Sequence, residues 1–310
     1  MNTLKLSVSP HIHSGRSTAG IMRDVLIALL PATVAGVVIF GLSSLFVIAA
    51  CVISCVGLEY LYNLILRREQ TASDLSAAVT GLLLALNLPA HTPVWQCVIG
   101  SVFAIIVVKL LFGGIGYNLV NPAITARVFM LVAFGSMATP SMPTIVDTVS
   151  GATPLSAEVQ GTGATLSELF LGSIGGAIGE TCKAALLVGF VYLLVRRVIT
   201  WHIPVVYIGT VFLLSFLYRG FDATQALALT LSGGLFIGAI FMATDYVTSP
   251  ATAKGKIIFG IGAGLITFLI RHFGAYPEGV SFAILTMNII SPYIDELTKH
   301  KVLGTGGKAA

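Results

Sequence analysis

Residues 45–58 read LFVIAACVISCVGL, an apolar run with Ser54 as its single polar residue, and runs of this kind recur along the chain. Extended to about twenty residues, such a run is what a helix needs to cross the hydrocarbon core of a bilayer. Lipid offers no partner to a backbone N–H or C=O, so a lipid-exposed span must be a helix or part of a closed barrel. Barrel strands alternate apolar and polar residues, and these runs do not. Composition closes the remaining route. Of 310 residues, 56% are hydrophobic and 10% charged, against about 25% charged in a soluble domain. The expected fold class is an all-α polytopic membrane protein.

Ten spans are expected, at roughly 22–41, 44–66, 74–90, 94–112, 119–136, 182–199, 202–218, 223–243, 255–272 and 281–297. The third is short and carries Asn87 and Pro89, which marks it for a broken or re-entrant helix. Lys and Arg concentrate on the cytoplasmic side of membrane proteins. With the N-terminus placed inside, 13 of them fall inside and 3 outside (Lys183, Arg219 and Arg271), with Arg127 within a span. Both termini are therefore expected in the cytoplasm. The net charge of +4 follows from this sorting and calls for no nucleic-acid partner.

Five spans precede residues 137–181 and five follow, so the halves would run in opposite senses, as in inverted-repeat transporters. Asn121-Pro122-Ala123 in the first half is echoed by Ser249-Pro250-Ala251 in the second. The expected organisation is a tail at 1–20, a five-helix half at 21–136, an extracytoplasmic segment at 137–181, a second half at 182–298 and a tail at 299–310. GSIGGAIG at 172–179 places glycines four apart, the spacing of close helix packing. The four cysteines form no C-x-x-C, so a metal site within the chain is not expected.

The segment 137–181 has four acids, no base and a cluster of hydroxyls. Within it, residues 147–156 read DTVSGATPLS. Pro154 biases Thr153 toward an extended backbone, and Gly151 and Ala152 leave its hydroxyl unobstructed. Taken on its chemistry, the stretch is either an acceptor for a modifying enzyme or a plain Ser/Thr-rich turn.

Asp147-x-x-Ser150-Gly151-Ala152-Thr153 resembles the motif at which a flavin transferase joins FMN to threonine through a phosphoester. The motif is shared by the D subunit of the Rnf complex and the B subunit of the sodium-pumping NADH:quinone oxidoreductase. SPHIHS at 9–14, VTGLLLALNLP at 79–89, GGIGYNLVNPA at 113–123, GAIFMATDYVTSP at 238–250 and YPEGVSFAILTMN at 276–288 resemble the same family. The short N-terminal tail points to its Rnf branch.

The resemblance implies a membrane component of an ion-translocating oxidoreductase complex in a prokaryotic cytoplasmic membrane. Its covalent FMN on Thr153 would relay electrons between ferredoxin and NAD, coupled to transport of Na⁺ or H⁺. It implies a flavin transferase and the other Rnf subunits (A, B, C, E and G) as partners, above all the G subunit, an extracytoplasmic flavoprotein. It also admits a non-covalent riboflavin, without naming residues for it. The phosphoester would carry negative charge, and the helix start near Glu180, or Lys183, is the expected recipient. The competing reading is a solute channel of the urea-transporter kind, which shares the two-half architecture and lacks redox function.

Ionisable residues inside a membrane are candidates for ion pathways. Glu59 and Arg127 lie within spans and are the candidates here. Lys109, Asp245 and Glu278 lie near span ends, where a long or polar side chain reaching the interface is the simpler expectation.

Overall fold

A computed structural model describes residues 17–138, 141, 143, 165–274 and 279–299. Among them every regular element is a helix, and one isolated β-bridge joins Ser141 and Gly176.

The first half opens with α1 (Thr18–Phe40), capped by Ser17, whose hydroxyl accepts from the Gly20 N–H at 3.1 Å. Gly41 alone joins α1 to α2 (Leu42–Ile65). Its φ of 76° is a left-handed conformation suited to glycine, and its N–H donates to the Val37 carbonyl at 2.9 Å. Then come α3 (Ser76–Leu86), α4 (Val94–Leu110) and α5 (Pro122–Ala133). The second part of α4, Phe103–Leu110, is wound as a π-helix. Asn121 caps α5 by accepting from the N–H groups of Ala123 and Ile124, and Pro122 takes the first helical position, where its missing N–H costs nothing.

The short helix α6 (Leu166–Leu171) starts with a capping box. Thr165 accepts from the Glu168 N–H, and the Thr165 N–H donates to Glu168 Oε2 at 2.9 Å, which holds this exposed carboxyl below its ordinary pKa. The second half comprises α7 (Lys183–Val195), α8 (His202–Tyr218), α9 (Ala223–Leu231), α10 (Leu235–Met242), α11 (Ala253–Phe273) and α12 (Val280–Thr298).

Each of the ten expected spans coincides with a helix, or, for 223–243, with the pair α9 and α10 bent by 68°. By length and composition α1, α2 and α11 can cross a membrane alone, and the bent pair can do so as one broken span. The apolar helices α3, α4, α5, α7 and α8 are shorter. The fold is that of an all-α, multi-pass membrane protein. Its outward faces agree: Leu30, Val34 and Val38 on α1 and Ile257, Ile261, Leu265 and Leu269 on α11 are exposed at helical spacing, a pattern lipid solvates and water does not.

Without a hydrophobic force between helices in lipid, close backbone approach does much of the packing, and small residues permit it. A Cβ on Gly81 of α3 would lie 2.8 Å from the Cys51 carbonyl oxygen of α2, and one on Gly189 of α7 would lie 2.2 Å from that of Ala28 of α1. Gly260 and Gly264 of α11 meet Val206, Tyr207 and Thr210 of α8 in the same way, beside a 2.6 Å hydrogen bond between the hydroxyls of Tyr207 and Thr267.

The glycines of 172–179 do not serve this purpose. Residues 172–182 form no helix. They are an irregular strap bonded to the end of α3, with the Ile178 N–H donating to Leu88 O at 3.1 Å and the Gly179 N–H to Leu86 O at 2.7 Å. The spacing of four is met here by a chain that must lie flat: a Cβ on Gly179 would be 2.6 Å from the Leu86 Cβ, and one on Gly36 of α1 would be 2.6 Å from the Ile178 carbonyl oxygen.

Candidate functional site

Thr153 and its neighbours Asp147, Ser150, Gly151 and Ala152 lie outside the described residues, as does Glu278. The described chemistry is a set of polar groups inside the helical core. Glu59 of α2 is 1% exposed and Lys109 of α4 3% exposed. Lys109 Nζ lies 2.8 Å from Glu59 Oε2 and donates to the Ser76 hydroxyl at 2.6 Å. The Thr71 hydroxyl donates to Glu59 Oε1 at 2.7 Å and accepts from Asn63 Nδ2 at 3.0 Å.

Lys109 therefore does not reach for the interface, as its place near a span end suggests. Its position on the π-wound part of α4 belongs to the bundle interior, and desolvation at both ends makes the pair mutually dependent. Asp245 also turns inward, accepting from the Thr248 hydroxyl at 3.1 Å.

Lys109 and Ser76 also line a cavity of about 370 Å³. Its walls come from the starts of α1 and α3, the ends of α4 and α7, and the irregular stretches 115–121 and 243–247. Ile21, Met22, Val25, Val79, Leu83 and Phe241 supply apolar surface, and Thr80, Asn118, Asn121, Thr244 and Asp245 supply polar groups. The volume and the sparse polar lining fall in the range of small-molecule sites, about 300–1,000 Å³.

The two Pro-marked breaks meet beside this cavity. Residues 111–121 and 243–252 are non-helical, so Asn121-Pro122 and Ser249-Pro250 both sit at helix interruptions. Asn121 Nδ2 donates to the carbonyl of Met242, the last residue of α10, at 3.2 Å. Asn288 of α12 ties the breaks together. In the amide orientation that satisfies its neighbours, its oxygen accepts from the Asn121 N–H at 3.1 Å and its nitrogen donates to the carbonyls of Thr248 at 3.3 Å and Ile284 at 3.2 Å. Asn288→Leu should leave these groups unanswered, at about 1–3 kcal/mol each. The expected outcome is a lower thermal midpoint for the detergent-solubilised chain; an unchanged midpoint would show that the bridge is not structural.

Arg127 of α5 is 8% exposed and belongs to another part of the core. Its guanidinium donates to the carbonyl of Asn87, the residue that ends α3. Arg271 of α11 treats the end of α9 alike, donating to the carbonyls of Leu229 at 2.9 Å and Ser232 at 3.0 Å. Each broken third helix thus has its last carbonyls answered by an arginine, the groups a helix end leaves without internal partners. Glu59 and Arg127 are not brought together. Sequence reasoning assigned Lys109 to the interface and passed over Asn288: no local pattern marks a lysine for a glutamate fifty positions away, and a single mid-helix asparagine has no signature of its own.

A family model described as the NQR2, RnfD, RnfE family matches residues 5–304. The chain is 46% identical to the D subunit of the Na(+)-translocating ferredoxin:NAD(+) oxidoreductase complex of Acetobacterium woodii, over 98% of this chain and 97% of that one. It is 42% identical to the D subunit of the proton-translocating ferredoxin:NAD(+) oxidoreductase complex of Clostridium ljungdahlii, with the same coverage. It is 35% identical to the D subunit of the ion-translocating oxidoreductase complex of Salmonella paratyphi B, over 97% of this chain and 98% of that one.

Proposed function

The chain belongs to the NQR2, RnfD, RnfE family, and from that premise we propose that it is the D subunit of an Rnf-type complex carrying FMN on Thr153. The observation that carries the assignment is similarity to D subunits at 35% to 46% identity over 97% to 98% of the chain. In this reading the chain passes electrons between ferredoxin and NAD in concert with the A, B, C, E and G subunits, the last of these being its extracytoplasmic neighbour. The transported ion is Na⁺ or H⁺; the relatives named for each are 46% and 42% identical to this chain.

FMN supplies the redox chemistry, and the protein positions it. Asp147, Ser150, Gly151 and Ala152 make the segment readable to a flavin transferase, and Thr153 offers the hydroxyl. The Lys/Arg sorting of 13 to 3 supports cytoplasmic termini and an extracytoplasmic flavin segment. The 370 Å³ cavity is the place this reading offers a non-covalent riboflavin: apolar walls suit the ring, and Asn118, Asn121 and Asp245 suit its polar edge. Glu59 is the favoured residue of an ion path because its partner Lys109 stands on the cavity wall. Arg127 is the second candidate, and its bond to the end of α3 speaks for a structural part.

In-gel fluorescence of the denatured chain, followed by peptide mass spectrometry, tests the covalent flavin; acid extraction in parallel should release riboflavin and leave FMN on the chain. A colourless chain would favour the solute channel. Orientation has its own test. Ser156→Cys should react with an impermeant thiol reagent applied from outside the cell, and labelling from the cytoplasmic side alone would invert the assignment.

A further inference from the structure

The second half carries a groove of about 460 Å³ that has no wall residue in common with the cavity described above. It is walled by α7, α8 and the pair α9 and α10, which is bent by 68°. Phe236 and Ile240 of α10 are buried in its depth, while Val205 and Gly209 of α8 and Leu227 of α9 are exposed at its mouth. A Cβ on Gly209 would meet nothing within 4 Å, so the middle of α8 faces open space there. The neighbouring Val188 and Val191 of α7 and Leu213 of α8 are exposed as well, so the mouth opens onto the surface that hydrocarbon solvates.

The lining decides what enters. Among the described residues Thr230 is its one polar wall, and the Thr230 hydroxyl is already engaged, donating to the Ala226 carbonyl at 2.7 Å. Water finds too few partners in such a place, and a polar ring or headgroup would lose its own hydration for nothing. An empty groove forfeits the dispersion contacts of its walls. A hydrocarbon occupant satisfies both conditions.

Size separates the hydrocarbon candidates. A helix with its side chains is about 10–12 Å across and rises about 5.4 Å per turn, so the groove has room for about one turn. A span crossing about 30 Å of hydrocarbon needs five or six. From Pro204 to Phe212, both in the wall, α8 rises about 12 Å, close to the depth of one leaflet, about 15 Å. Trp201, Val205, Ile208 and Phe212 are spaced by four, three and four, which is one helix face. The stripe runs into Trp201 because its φ of −67° and ψ of −17° are helical. Trp201 is 52% exposed, and Arg196 and Arg197 in the same turn are exposed too. Such residues meet phospholipid headgroups at an interface.

We propose that this groove is a binding site for one acyl chain of a phospholipid, whose headgroup lies at the turn 196–201. The Lys/Arg sorting makes the leaflet concerned the cytoplasmic one. The chain lies against Gly209 and reaches Phe236 and Ile240, which lipid at the outer surface of the bundle does not touch. The site depends on the multi-pass fold alone and is independent of the flavin.

The test uses the intact complex, reconstituted with a phospholipid that carries a photoactivatable diazirine midway along one acyl chain. Peptide mass spectrometry then maps the adducts. In the wild type they should fall on Phe236 and Ile240 as well as on the exposed stripe Ile261 and Leu265 of α11. Gly209→Phe fills the open space from the helix side. It should lose the adducts on Phe236 and Ile240 and keep those on α11, whereas Gly209→Ala should keep both. Wild-type adducts confined to exposed faces overturn the site, and that result needs no variant, so poor accumulation of Gly209→Phe leaves the test intact. Adducts on Ile240 that persist in Gly209→Phe overturn it too. So does a photocrosslinker placed at Ile208 that captures another subunit of the complex, since a protein helix would then be the occupant.

Discussion

Thr153→Val should reach the membrane at the wild-type level, show no flavin fluorescence in a denaturing gel and transfer no electrons within the complex. Valine keeps the β-branched shape of threonine and removes only the hydroxyl, so the backbone preferences of the segment are retained while the phosphoester becomes impossible. Pro154 continues to bias position 153 toward an extended conformation, which separates loss of the acceptor from loss of its presentation. Thr153→Ser keeps a hydroxyl and should recover part of the flavinylation. Retained fluorescence in Thr153→Val would falsify the attachment site, and Thr148 or Ser150 would then be the hydroxyl to examine by peptide mass spectrometry.

The second large effect is expected from Lys109→Met. It would leave Glu59 charged, 1% exposed and answered only by Thr71. Removing one member of a buried ion pair costs about 3–5 kcal/mol, a large fraction of a total stability of about 5–15 kcal/mol. The chain should accumulate poorly and unfold early in detergent. The double variant Glu59→Gln with Lys109→Met removes both charges and should regain most of that stability, because a neutral pair avoids the desolvation of two ions. The double variant separates the two meanings of the pair. If Glu59 serves the ion path, the complex containing it assembles yet fails to take up ions in proteoliposomes. Uptake at the wild-type rate in that variant would make the pair purely structural.

Much of the architecture is legible in the sequence because its signals are local. A run of apolar residues announces a helix, and the prolines at 122 and 250 announce interruptions, which the structure has in the non-helical residues 111–121 and 243–252. What escapes is whatever depends on partners distant in the chain. Lys109 near a span end looks like a residue stretching to the interface, and its pairing with Glu59 appears only once α2 and α4 are packed. Asn288 gains its part from two breaks on other elements. The glycines of 172–179 mislead for a physical reason: small residues serve close approach in helices and in flat straps alike, and spacing alone does not separate them. Arg127 stands out as a buried charge, but its bond to the Asn87 carbonyl depends on where α3 ends. Of the candidate residues, Glu59 and Arg127 could be picked out one by one, while the cavity that Lys109 borders could not.

The single-residue joint at Gly41 bears on how the protein is made. With α1 and α2 each about 35 Å long at 1.5 Å per residue, the ribosome delivers two membrane-long helices with no hydrophilic stretch between them. Nothing at that turn can emerge and wait on the far side as a translocated loop. The first helix must therefore stay near the insertion machinery until the second has been synthesised, and the two enter the bilayer as one hairpin. A polar linker spliced in at Gly41 would uncouple these events, turning a concerted insertion into two sequential ones.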